Sequence, residues 1–170
     1  MRNYKVAIVG EAAVGKTALC TRLVQNHFSR DYTMTIALLT HIYSTTIDDE
    51  KASISLWDCG GKRDFRHNVA LSLTGSNGVV LVYDKTNKTT LESVHDWLKT
   101  IEENIGSNVP IALVGNKSDL KDQIEITKDE IDDLLNQIDA SHYSVSAATG
   151  AGVHEMFHDF FRIIHELSKS

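Results

Sequence analysis

Short apolar runs alternate with segments of helical hydrophobic spacing along most of this 170-residue chain. Runs typical of buried strands occupy residues 4–9, 78–83, 110–114 and 143–145. Helical spacing is found in residues 18–26, 91–105 and 131–138, and in a last helix with one apolar face. That face carries Val153, Met156, Phe157, Phe160, Phe161, Ile164 and Leu167. Strands that alternate with helices predict a doubly wound α/β sheet with helices on both faces.

Local signals complete the predicted element order. Residues 42–47 and 53–57 are β-rich runs joined by residues 48–51, which is typical of a hairpin. The sheet is therefore expected to be six-stranded and mostly parallel, with one antiparallel edge strand. Thr89 with Glu92, and Thr127 with Glu130, predict capping boxes at two helix starts. Residues 27–36 show no period and predict a loop, and residues 63–74 predict an irregular helix.

Composition narrows the class of protein. The hydrophobic content is 42% and the charged content 24%, as in a globular protein, and we expect a single domain over residues 1–170. A net charge of −6 argues against a nucleic-acid partner. No apolar stretch approaches the ~20 residues of a membrane span, and the start does not resemble a signal peptide. With two cysteines and none near the C-terminus, we expect a cytoplasmic protein that contacts membranes only through a lipidated tail outside this sequence.

The residues GEAAVGKT at positions 10–17 stand between a predicted strand and a predicted helix. The pattern G-x4-G-K-T in that context predicts a phosphate-binding loop, the P-loop. Backbone N–H groups at a helix N-terminus form a concave anion site, and Gly15 lets the backbone approach a phosphate closely. Lys16 adds a charge for the outer phosphates, and the Thr17 hydroxyl can bind Mg²⁺. A chance glycine-rich turn explains neither the spacing nor the context.

Polar segments also follow three other predicted strands. They are DCGG at residues 58–61, NKSD at 116–119 and SAA at 146–148. Ligands of such sheets bind at the carboxyl ends of the strands, so these segments and the phosphate loop are expected to meet there. Their order and spacing resemble the Ras superfamily of small GTPases over nearly the whole chain. Tyr32-x-x-Thr35-Ile36 and Val82-Tyr83-Asp84-x-Thr86-Asn87 resemble the Rab branch, whereas LTGSN at residues 73–77 departs from it.

The resemblance implies a G domain that binds GTP or GDP with Mg²⁺. Asp119 accepts N1–H and N2–H₂ of guanine, an edge that adenine lacks. The resemblance also implies that the Ala147 N–H meets guanine O6, and that Lys117 and Phe28 cover the two faces of the base. Exchange factors, GTPase-activating proteins and effectors are the implied partners, through two switch loops. The implied nucleotide contacts are Ala13, Val14, Gly15, Lys16, Thr17, Ala18, Phe28, Tyr32, Thr35, Gly61, Asn116, Lys117, Asp119, Ser146, Ala147 and Ala148. The implied metal contacts are Thr17, Thr35 and, through water, Asp58.

Three departures from the family pattern bear on catalysis. Lys62 follows Gly61 where relatives usually carry a water-orienting glutamine, and lysine has three donors but no acceptor. Ala12 and Ala13 replace small polar residues or glycine in the phosphate loop, and Ala148 replaces a lysine. We therefore expect a Rab-like switch in vesicle traffic or signalling, with slow hydrolysis at a site containing Gly61 and Lys62. Two alternatives stay open: a partner supplies the catalytic group, or the protein is a non-cycling GTP-binding scaffold.

One further pattern points to a different chemistry. His154-Glu155-Met156-Phe157-His158 matches the zinc-peptidase motif H-E-x-x-H, and His165 falls on nearly the same helical stripe. A peptidase needs an open zinc position in a substrate cleft, whereas this match lies beside the apolar face of the last predicted helix. We therefore interpret it as a chance match and keep a zinc metallopeptidase as a remote third alternative.

Overall fold

The computed structural model describes residues 1–31, 38–60 and 66–170. Six strands form one sheet in the order β2-β3-β1-β4-β5-β6. The β2–β3 pair is antiparallel and every other neighbouring pair is parallel. In chain order the elements are β1 Arg2–Val9, α1 Lys16–Gln25, β2 Leu39–Ile47, β3 Glu50–Asp58, α2 Arg66–Leu73, β4 Gly78–Asp84, α3 Lys88–Glu92, α4 Val94–Ile105, β5 Ile111–Asn116, a 3₁₀ turn Lys121–Gln123, α5 Lys128–Leu135, β6 Ser141–Ser144 and α6 Val153–Ser168. The predicted fold class is confirmed.

Two apolar cores lie on the two faces of the sheet. One face is covered by side chains of α1 and α6, and the other by side chains of α2, α3, α4 and α5. Strand β4 shows why an unbroken apolar run is needed between two helical layers. Val80 and Val82 belong to the first core, while Val79 and Leu81 belong to the second, because successive side chains of a strand point to opposite faces.

The β2–β3 hairpin has a tighter turn than the sequence predicted. Asp48 and Asp49 alone connect the strands, with φ of 48° and 68°. Positive φ at both central residues matches the twist of a two-residue hairpin turn, and aspartate tolerates that conformation. Glu50 and Lys51, predicted as part of the connection, are the first residues of β3.

One of the two predicted capping boxes is present. Thr127 accepts the N–H of Glu130, and the Glu130 carboxylate accepts the N–H of Thr127, at the start of α5. The other prediction is wrong, because Asn87 caps α3 by accepting the Thr89 N–H at 3.2 Å. Thr89 is thus already inside the helix.

The last helix, α6, buries the predicted apolar face with one exchange. Leu167 is 53% exposed, whereas His165 is completely buried. The His165 Nδ1 atom lies 2.7 Å from the Tyr4 hydroxyl of β1. The buried imidazole ring therefore has a polar partner inside the protein. Among the described residues, no helix has the length and apolar character needed to cross a membrane.

Candidate functional site

A cavity of about 620 Å³ opens at the carboxyl ends of β1 and β5. Four described segments line it: the phosphate loop with the start of α1, residues 27–31, residues 116–120 and residues 147–148. Three of them include segments that the sequence predicted for the ligand site, whereas no described residue of the predicted segment 58–61 is among the lining residues. The lining residues are Ala12, Ala13, Gly15, Lys16, Thr17, Ala18, Thr21, His27, Phe28, Ser29, Arg30, Asp31, Asn116, Lys117, Asp119, Leu120, Ala147 and Ala148. Of the other predicted contacts, Val14, Asp58 and Ser146 are buried, and Tyr32, Thr35, Gly61 and Lys62 lie outside the described residues.

The phosphate loop, residues 10–17, follows β1 and leads into α1. Ala13 has φ of 64° and Gly15 has φ of 100°. An alanine in that left-handed region is strained by on the order of 1 kcal/mol. A Cβ on Gly15 would lie 2.2 Å from Asn116 Nδ2, so a side chain there would displace the next segment of the site. Gly15 is therefore required by its φ and by the close approach of Asn116.

Lys16 is folded back over the phosphate loop. Its Nζ atom donates to the carbonyl oxygens of Gly10 at 2.8 Å and of Glu11 at 2.7 Å. Burial lowers the pKa of Lys16 to about 8, although the carboxylate of Asp58 opposes the shift. A bound polyanion would favour the charged form, so the lysine is a cation prepared for a ligand of opposite charge.

Thr17 and Asp58 meet beside Lys16. The Thr17 hydroxyl donates to Asp58 Oδ2 at 2.5 Å, and the Asp58 side chain is completely buried. Its other oxygen, Oδ1, has no hydrogen-bond partner among the described residues. His41 Nε2 is likewise buried without such a partner, 3.8 Å from Asp58 Oδ2. A buried carboxylate oxygen without a donor, next to a hydroxyl, fits the oxygen ligands and bound waters of Mg²⁺.

Asn116 links the phosphate loop to the loop after β6. Its Nδ2 donates to the Val14 carbonyl at 2.9 Å, and its Oδ1 accepts the Ala147 N–H at 3.1 Å. Resemblance implied that this N–H meets the guanine O6 atom. In this structure it already has an acceptor, so the contact with O6 stays a prediction that requires the N–H to be shared or exchanged.

Asp119 is oriented by the loop after β6. Its Oδ1 accepts from the Ser146 hydroxyl at 2.8 Å, and the same hydroxyl oxygen accepts the Thr149 N–H at 3.1 Å. Because the hydroxyl proton is directed to Oδ1, the carboxylate is held in one orientation. It can then present its remaining acceptor capacity to the cavity that it lines.

Lys117 and Phe28 contribute apolar surface to the same cavity. The Lys117 ammonium bonds to the Ala13 carbonyl at 2.9 Å and pairs with Asp84 Oδ2 at 2.7 Å, so its stem is held across the phosphate loop. Phe28 is half-buried and packs against the core on the α1 face. That the two side chains cover the two faces of a bound base, as the family resemblance implies, stays a prediction.

Sequence reasoning missed three side chains that support the site. Trp97 Nε1 of α4 donates to Glu11 Oε1 in the phosphate loop at 3.1 Å. Arg22 of α1 donates to the carbonyls of residues 147 and 148. Asp84, the last residue of β4, orients Lys117. Each pairing joins distant parts of the chain, and no motif spacing signals it.

The zinc-peptidase match lies on α6, and its three polar residues do not line the cavity. His158 Nε2 is 3.0 Å from the Tyr43 hydroxyl, and the rings of His154 and His158 are stacked with centroids 6.2 Å apart. Within residues 1–31, 38–60 and 66–170, no group of three or more His, Cys, Asp or Glu side chains is placed to hold a metal ion. Tyr43 thus accounts for the orientation of His158.

Comparison with known proteins agrees with this geometry. The Ras family model matches residues 5–166. The chain is 30% identical to the Ras-related protein Rab-13 of Bos taurus over 161 residues, covering 95% of this chain and 79% of the relative. It is 30% identical to the Ras-related protein SEC4 of Saccharomyces cerevisiae over 162 residues, with coverages of 95% and 75%. It is 28% identical to the human Ras-related protein Rab-21 over 167 residues, with coverages of 98% and 74%. The chain therefore belongs to the Ras family of GTP-binding switch proteins, as a divergent member near the Rab group.

Proposed function

We propose that this protein is a Mg²⁺-dependent guanine-nucleotide switch with slow intrinsic GTP hydrolysis. The observation that carries the proposal is the Asp119 carboxylate, held by Ser146 at 2.8 Å in the same 620 Å³ cavity as Lys16 and the phosphate loop. Base recognition and phosphate binding therefore share one cavity.

Base selection follows from the chemistry of a carboxylate. Guanine presents N1–H and N2–H₂ side by side, and Asp119 can accept both. Adenine has a lone pair at N1 and no amine at C2, so it would leave a half-buried carboxylate unpaired. Hydrogen bonds to charged groups are worth ~1.5–3 kcal/mol each, which corresponds to discrimination by several powers of ten.

Phosphate binding uses the positive charge of Lys16 and the backbone N–H groups of the phosphate loop. Lys16 exchanges its bonds to the carbonyls of Gly10 and Glu11 for phosphate oxygens. The N–H groups at the start of α1 supply further donors. Thr17 and Asp58 would hold the metal ion, with Thr35 added in the triphosphate state. When bound, Mg²⁺ neutralises charge on the phosphate oxygens.

Slow hydrolysis follows from Lys62, which stands where relatives carry glutamine. Orientation of the attacking water needs a hydrogen-bond acceptor, and an ammonium group has none. We propose that exchange factors, GTPase-activating proteins and effectors act through the switch loops, and that the cycle serves vesicle traffic at the cytoplasmic side of membranes. The similarity to Ras-related proteins supports the switch cycle, and the role in vesicle traffic is part of the proposal.

The central experiment is competition for the nucleotide site. Labelled GDP bound to the protein is challenged with GDP or ATP at equal concentration, in the wild type and in Asp119→Ala. We expect GDP, but not ATP, to displace the labelled GDP from the wild type. In Asp119→Ala we expect this preference to be lost. Asp122→Ala, which removes a nearby exposed aspartate, is the matched control and should keep the preference. Equal competition by ATP in the wild type would refute the assignment.

A non-cycling GTP-binding scaffold is the second candidate, and Lys62 favours it. Identification of the nucleotide that co-purifies with the protein, followed by a single-turnover assay, separates the two. Co-purified GDP and measurable turnover support a cycle. Co-purified GTP without turnover supports the scaffold.

A further inference from the structure

We propose that Arg22 is a positioning residue for base binding and that it holds both sides of the base end of the cavity. This inference rests on the guanine-nucleotide function proposed above. Arg22 lies on α1 and is not among the residues that line the cavity. Its effect on a ligand therefore passes through the segments that it holds.

The first segment is the base loop, defined here as residues 146–151. Arg22 Nε donates to the Ala147 carbonyl at 2.8 Å, and Nη2 donates to the Ala148 carbonyl at 2.7 Å. Both acceptor residues line the cavity. The planar guanidinium suits two neighbouring acceptors, because its donors have a fixed fork geometry. Ala148 has no side chain that could hold this part of the loop, so the backbone bonds carry the task.

The second segment is the chain that leaves α1. Arg22 Nη1 donates to the Asn26 carbonyl at 3.3 Å and lies 3.4 Å from Asn26 Oδ1. Asn26 ends α1 in the left-handed conformation, with φ of 51°, and its N–H bonds to the Arg22 carbonyl at 3.0 Å. Phe28, which lines the cavity, follows two residues later. One guanidinium therefore joins the two chain segments that approach the base.

The internal bonds of the base loop set its shape but not its distance from α1. The Ser146 N–H bonds to the Ala151 carbonyl at 2.9 Å, and the Gly150 N–H bonds to the Ser146 carbonyl at 2.8 Å. Asn116, the last residue of β5, and Asp119, just after it, tie the loop to the end of that strand. Arg22 adds the connection to α1, so its removal should let the loop and the Phe28 segment separate.

The test measures dissociation of ribose-labelled GDP in the presence of Mg²⁺ and excess unlabelled GDP. Loss of two charge-assisted bonds should raise the dissociation rate of Arg22→Ala about tenfold. Arg22→Lys keeps the charge and the stem but not the fork, and should recover part of that loss. It also provides the measurement if the alanine variant does not fold. Arg162→Ala is the matched control, because this exposed α6 arginine pairs only loosely with Asp48, at 3.7 Å.

A second nucleotide separates positioning from general loosening. In 6-thioguanosine diphosphate a sulfur replaces O6, and sulfur is a weak acceptor for a backbone N–H. Because the base loop is expected to serve O6, Arg22→Ala should raise the dissociation rate of this analogue by only about threefold. An equal effect on both nucleotides, or no effect on GDP in a folded variant, would overturn the proposal. Failure of the wild type to prefer GDP over ATP would instead overturn the guanine-nucleotide function itself.

Discussion

Replacement of Asn116 by alanine tests whether the two loops of the site are one connected unit. The side chain is only 2% exposed, and it bridges the Val14 carbonyl at 2.9 Å and the Ala147 N–H at 3.1 Å. Both bridged residues are themselves buried. Asn116→Ala therefore leaves one buried acceptor and one buried donor without their partner.

The magnitude follows from those two groups. A buried polar group left without a partner costs ~1–3 kcal/mol, and water from the adjoining cavity can reach this position. We therefore expect the free energy of unfolding to fall by about 2–4 kcal/mol. For a chain of this size, each kcal/mol lowers Tm by ~2–4 °C, so a shift of roughly 5–15 °C is expected.

Urea and thermal unfolding of the nucleotide-free protein, repeated with saturating GDP, provide the assay. The difference in unfolding free energy between the wild type and Asn116→Ala should be larger with saturating GDP. A variant with a higher Kd for GDP gains less stability from the bound ligand. Asn104→Ala is the control: this exposed asparagine bonds to the Thr100 carbonyl within α4, and its loss should change stability by less than about 0.5 kcal/mol. Equal effects of the two substitutions would refute the claim that Asn116 connects the loops.

Three other predictions concern the phosphate end of the site. Thr17→Asn should weaken GTP binding more than GDP binding, because the triphosphate complex depends more on the metal; unchanged nucleotide release after addition of EDTA would contradict this. Lys62→Gln should raise single-turnover hydrolysis, since one positioned group is typically worth on the order of 10²–10³-fold; a lower rate would show that the lysine itself acts in hydrolysis. Burial lowers the pKa of Lys16 to about 8. Between that value and its unfolded pKa of about 10.5 the unfolded chain binds the extra proton, so stability without nucleotide should rise from about pH 8 to about pH 10.5. Lys16→Met should lose that rise, and an identical pH profile in the variant would exclude Lys16 as its cause.

The elements were predictable where the signal is local. Strand β4 is buried at every position because helices cover both faces of the sheet, and the apolar run at residues 78–83 makes this visible in the sequence. The capping box of Thr127 and Glu130 is also local, since both partners lie within one helical turn. The incorrect cap at Thr89 shows the limit, because Asn87 lies two residues earlier and its side chain can cap the same helix.

The sequence alone was enough to single out the phosphate loop and residues 116–119 and 146–148 as candidate site segments. The backbone conformation and hydrogen-bonding chemistry of such segments require particular residue types at a fixed local spacing. The α/β fold followed from the alternation of the two hydrophobic periods. The tertiary structure decided which groups support these motifs. Arg22 reaches carbonyls 125 and 126 positions away, and Trp97 reaches Glu11 across 86 positions. These bonds depend on where strand order and helix packing place each side chain, and no local pattern of residues specifies that placement.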